Sequence, residues 1–143
     1  MVISRENNSA YWALRITFGL VPLIAGLDKF VNYLTDWTQY LNRSILNVIH
    51  LTPVNFMHVV GAVEIFVGLA VLFGATRVFG YITMLWLWAI AINLISTGQF
   101  FDIALRDIGL SLGAFSLAQL SQARASVVVT RDIDDYRDYR RVA

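Results

Sequence analysis

The chain has 143 residues, 57% of them hydrophobic and only 15% charged, with a formal net charge of +1 and no cysteine. Its mean hydropathy of +0.61 lies far from the soluble average and, with the charges gathered at the ends and in loops, points to a single membrane-embedded domain. Without cysteine there can be no disulfide staple, thiolate metal site, iron–sulfur ligation or thiol–disulfide catalysis by this chain, and a near-neutral charge with no basic stripe argues against nucleic acid.

Residues 1–10 read as a polar N-terminus. The first apolar run, from about Tyr11 to Tyr33, is too long and too interrupted for the core of a cleaved signal, so it reads as a retained span. Three more runs follow, Val54 to Gly74, Val78 to Thr97 and Phe101 to Ser121. Each holds roughly twenty residues, enough to cross ~30 Å of hydrocarbon at ~1.5 Å per residue. The expected fold is therefore all-α, an integral membrane bundle of four transmembrane helices over residues 11–121. An even number of spans puts both termini on one side. Arg5, Arg15, Arg77, Arg124, Arg131, Arg137, Arg140 and Arg141 fall on that side, against Arg43 opposite. The positive-inside rule then places both termini in the cytoplasm, with the chain in the inner (plasma) membrane of a prokaryote.

Between the first two spans, Trp37, Tyr40, Leu41, Ile45, Leu46 and Ile49 recur with helical period while Thr38, Gln39, Asn42, Arg43 and Asn47 fill the other face. This pattern predicts a short amphipathic helix lying in the outer interface. Thr52 followed by Pro53 reads as an N-cap with proline at the first helical position, a start signal for the second span. Residues 122–143, ending in RDIDDYRDYRRVA, carry both signs and read as a solvated cytoplasmic tail, or alternatively as a strand or helix that docks a partner.

Each span carries polar residues on the face where its small residues fall. Arg15, Gly19, Pro22, Gly26 and Lys29 repeat at intervals of four and three, and Asp102, Arg106, Gly109, Gly113 and Ser116 do the same. A charge in hydrocarbon costs at least ~2.5 to 3.5 kcal/mol, so these faces should turn inward. Asp28, Lys29, Asn93 and Arg106 count to the outer third of their spans, and Glu64 to the middle of the second. Side chains lean toward the N-terminus of their own helix, so Lys29 and Glu64, on antiparallel spans, should lean together. Arg106 should lean over Asp102, four residues earlier. Asp28, Lys29, Glu64, Asn93, Arg106 and Asp107 thus form a candidate intramembrane polar cluster. Either it is a structural network that fixes helix order, or it is a site for a quinone head group, a proton or a small ligand. Gly19, Gly26, Gly61, Gly68, Gly109 and Gly113 are expected to bring helices close, with Gly109-x-x-x-Gly113 as the clearest signature.

His50 and His58 are not in a spacing that suits a metal or haem, so no metal is expected. Trp86, Trp88, Phe66, Phe73 and Phe115 read as packing or lipid contact before an aromatic pocket, and Trp12 and Trp37 as interfacial anchors.

The stretch RITFGLVPLIAGLDKF from Arg15 to Phe30, with its early arginine and Gly26-x-x-Lys29, resembles the opening of the DoxX-like family of small four-span membrane proteins. So does VGAVEIFVGLAVLFGATR from Val60 to Arg77, with a glutamate amid glycines, and FDIALRDIGLSLGAFSLAQL is similar to the family's last helix. The resemblance runs from Arg15 to Gln122 and leaves out the outer amphipathic segment and the tail. It implies an association with redox systems, because members occur as membrane subunits of a thiosulfate:quinone oxidoreductase or with electron-transfer and thiol-oxidation machinery. Lacking cysteine and a bis-histidine pair, this chain is expected to bring no cofactor of its own beyond a quinone, and not to be catalytic by itself. The reading that follows is an accessory or anchoring subunit of a larger oxidoreductase or energy-transducing complex, with lipid and other membrane subunits as partners. A quinone-interacting redox subunit using Lys29, Glu64 and Arg106 is one alternative. A small channel or transporter is the other, although four short spans show no inverted repeat.

Overall fold

The computed structural model describes residues 5–44, 46 and 50–142, and the side chains of residues 8–44, 46 and 50–126. Four long helices make up the fold: α1 (Arg5–Asp28), α2 (Pro53–Phe73), α3 (Thr76–Ser96) and α4 (Phe101–Val142). All four are long and apolar enough to span a membrane. Their large hydrophobic residues lie mostly outside, as with Val31, Phe73, Leu85 and Leu105. In water such a surface would be untenable, whereas in hydrocarbon it is the solvated face.

The helices pair as two antiparallel hairpins, α1 with α2 and α3 with α4, which pack against each other more sparingly. The first hairpin is locked by glycines. A Cβ on Gly26 would fall 2.6 Å from the Gly61 carbonyl, one on Gly61 would fall 2.7 Å from the Gly26 carbonyl, and one on Gly68 2.6 Å from that of Gly19. In lipid, where burying apolar surface drives little association, such backbone contact is what holds helices together. Gly113 meets the Phe18 ring, as expected of a packing glycine, but Gly109 faces open space and does not bring helices together. The shared core draws on Tyr11 and Phe18 of α1, Val67 and Val71 of α2, and Ala114 and Leu117 of α4, with Phe79, Met84 and Leu87 of α3 packed against them.

The helix ends are satisfied from the sequence outward. Thr52 caps α2, its hydroxyl accepting from the Asn55 N–H, with Pro53 at the first position, as the sequence predicts. The other end of α2 is closed by Arg15, whose Nε and Nη2 donate to the carbonyls of Val71 and Leu72 at 3.1 and 2.7 Å. A cation there meets orphan carbonyls and the negative end of the helix dipole together. Gly98, at φ 72°, makes the left-handed turn between α3 and α4 that glycine adopts without strain.

Two elements depart from the sequence reading. The outer segment opens as a 3-10 turn over Trp37–Tyr40, not as an α-helix. Asp36 caps it, and its bonds from the Thr38 hydroxyl and N–H hold the carboxyl below the ordinary aspartate range. The second half of the predicted amphipathic helix falls largely on residues 45 and 47–49, outside the described residues, although Arg43, Ser44 and Leu46 have helical geometry. At the other end of the chain, α4 does not stop near Ser121. It continues unbroken to Val142 over 42 residues, so the tail is a helix in its backbone.

Candidate functional site

α1 ends at Asp28, and the next residue, Lys29, turns its side chain into the hairpin. Its stem lies on Gly61, where a Cβ would stand 3.1 Å from Lys29 Cβ, so the glycine makes room for the lysine as well as for the backbone. From there the Nζ donates to Glu64 Oε2 at 2.5 Å. Both side chains are almost sealed, at 4% and 8% exposure. The Trp37 ring closes the pair from above, its centroid 3.7 Å from Nζ. A desolvated cation over an indole gains ~2 kcal/mol.

Asp28 holds that cover in place. Its carboxylate accepts from Trp37 Nε1 at 2.7 Å and from the backbone N–H groups of Tyr33 and Leu34 at 3.0 and 3.1 Å. Residues 30–41 therefore form a strap, with Trp37 as its stopper and Asp28 as its latch. Asn93 of α3 fastens the far side, donating to the Tyr40 carbonyl at 2.7 Å and accepting from the Asn42 N–H at 3.1 Å. The Tyr40 ring meets Phe100 edge-on beside it.

Two further groups face the pair. The Trp86 indole of α3 acts on the Glu64 carboxylate, yet it stops short of hydrogen-bond geometry, and its buried Nε1 has no partner among the described residues. A buried donor left unpaired costs ~1 to 3 kcal/mol, so it marks a place where an acceptor fits. Asp107 of α4 is buried too, at 4% exposure.

The cluster read from the sequence is thus split. Lys29 and Glu64 meet as expected, Asp107 faces them, and Asp28 and Asn93 serve the strap. Arg106 does not point inward: its side chain is 64% exposed and bonds Asp107 through Nε and Nη2 at 3.2 Å, in place of the expected Asp102. Asp107, next along the helix, takes the inward position, and a flexible arginine reaches back to its carboxylate from the lipid-facing side. Trp37 has a further part that the anchor reading lacks, because its N–H and its ring both meet groups of the protein. Trp86 and Trp37 were not legible as site residues. Their only signal was an indole within reach of a buried charge, and that needs the fold.

The model of the DoxX family matches residues 10–97. The chain belongs to the DoxX family. The match takes in Asp28, Lys29, Trp37, Glu64, Trp86 and Asn93, so the pair and its cover lie inside the part that defines membership. It ends before α4, and the helix carrying Arg106 and Asp107 is outside it. No curated protein and no solved structure matches the chain.

Proposed function

We propose that this DoxX-family membrane protein is an accessory subunit of a larger electron-transfer assembly, held in the bilayer by four helices and joined to its partner by the end of α4. The observation that supports this is the length of α4. At ~1.5 Å per residue a helix of 42 residues reaches about 60 Å, roughly twice what the hydrocarbon requires. The surplus carries Arg131, Asp132, Asp134, Asp135, Arg137 and Arg140. Interleaved aspartates suit a protein surface better than an anionic membrane, which would select Lys and Arg alone. A continuous helix offers those charges in a fixed order, as a docking arm must.

A second reading, in which the chain also takes a quinone head group, is supported by the unpartnered Trp86 Nε1 beside Glu64. A bound quinone supplies reversible two-electron, two-proton chemistry. Trp86 Nε1 would donate to a head-group oxygen, while Lys29 and Glu64 would hold the proton that the redox change moves. Purification in mild detergent, followed by mass spectrometry of co-purifying chains and lipophilic molecules, separates the two. A stoichiometric partner chain supports the subunit reading. Quinone retained by the isolated chain, and lost in Glu64→Gln without unfolding, would replace it with the second.

A further inference from the structure

The end of the bundle opposite the Lys29–Glu64 pair is built around Tyr11, which is buried at 5% exposure. Two guanidinium groups flank its ring, Arg15 with Cζ 5.8 Å from the centroid and Arg124 with Cζ 4.4 Å away. Arg15 donates through Nη1 to the Tyr11 hydroxyl at 3.0 Å and caps α2 with Nε and Nη2. Arg124 donates through Nη1 to Asn8. Trp12, 45% exposed, stands with its ring 5.2 Å from Arg15 Cζ and edge-on to Tyr11.

Among the described residues neither arginine has a carboxylate within ion-pair distance. The ion pairs found are Lys29–Glu64 and Arg106–Asp107. The charge of Arg15 is met in part by the carbonyl end of α2. Among the described residues, that of Arg124 meets an amide oxygen and a ring face, which leaves donors of its five for a further acceptor. Two like charges held around one neutral ring are an anion site in waiting, and planar guanidinium forks match phosphate oxygens. The depth fits as well. Tyr11 lies near the start of the span Asn8–Asp28 and Arg124 near the end of the span Phe101–Ser126, the level at which phospholipid phosphates lie, with an exposed tryptophan at the same height.

We propose that Arg15 and Arg124, around Tyr11, bind the phosphate of an anionic phospholipid head group. Because Arg15 is on α1 and Arg124 on α4, the bound phosphate joins the two hairpins at the end of their shared core.

The test uses the full-length chain in zwitterionic phosphatidylcholine micelles titrated with phosphatidylglycerol, following Tm, with native mass spectrometry counting retained lipid. Phosphatidylglycerol is expected to raise Tm and to leave one tightly held adduct. Arg124→Gln, with its shift measured from its own Tm in phosphatidylcholine alone, should need roughly tenfold more phosphatidylglycerol for half that shift, the loss of one charge-assisted fork. Arg124→Lys should fall between. Arg77→Gln, which removes an exposed cation at the same end of the bundle, should respond like the wild type. An equal loss in Arg77→Gln would reduce the effect to net charge and overturn the site. An unchanged response in Arg124→Gln would overturn it too. The same shift from inorganic phosphate without lipid would assign the site to a free anion and overturn the lipid source.

Discussion

A lysine and a glutamate 35 residues apart, both nearly sealed, meet as an ion pair inside the bundle. Removing one partner of such a pair leaves a lone buried charge and typically costs ~3 to 5 kcal/mol, whereas removing both costs less. Lys29→Met is therefore expected to lower thermal stability more than Lys29→Met combined with Glu64→Gln, and strictly additive losses would show that the two do not interact. The glycines give a contrast at the same scale. Gly26→Ala places its Cβ against the Gly61 carbonyl, which cannot yield without parting α1 from α2, so a loss of ~1 to 3 kcal/mol is expected. Gly109→Ala meets open space and should cost nothing; a chemical unfolding series on both variants checks the difference. At this scale the sequence was readable where two directional rules met. Antiparallel spans with N-terminal lean brought Lys29 to Glu64. Periodicity cannot say which of two neighbouring residues turns inward, and so Arg106 and Asp107 both enter the cluster read from the sequence, where only Asp107 is buried.

The strap is an element whose order is set by one carboxylate. Trp37→Phe keeps a ring over Lys29 but removes the N–H that Asp28 accepts, a charge-assisted bond of ~1.5 to 3 kcal/mol. Amide exchange at Tyr33 and Leu34 should quicken in that variant, and more in Asp28→Asn, while the α1–α2 interior stays protected. Unchanged exchange would mean that the strap is held by Asn93 alone. The period of the outer segment suggested an α-helix because its apolar residues do recur at helical spacing. The first of them, Trp37, is held by a cation and a carboxylate, neither of which belongs to the segment, and it reaches them from a 3-10 turn. The extension of α4 is one of two readings that the sequence leaves open for the tail, for a different reason. Its apolar signal ends near Ser121, but a helix needs only its own hydrogen bonds to continue, and pairs such as Arg131 with Asp135 sit at the supporting spacing.

For the whole molecule, the four spans follow from hydropathy, and the family match agrees with them. Orientation rests on the arginine asymmetry. Cysteines placed singly at Ser126 and Asn47 should react with an impermeant maleimide in intact cells only at position 47, and labelling at 126 alone would invert the topology. The account's central claim, that the bundle is a self-standing membrane domain and the end of α4 a docking arm, is tested most directly by native mass measurement of particles extracted in mild detergent. The full-length chain and one ending at Ala125 would be compared. The full-length chain should appear at the mass of a complex with a second kind of chain, and the shortened one as a folded, membrane-inserted bundle without it. Two lone bundles, differing only by the mass of the removed residues and with no partner in either, would show that the end of α4 docks nothing.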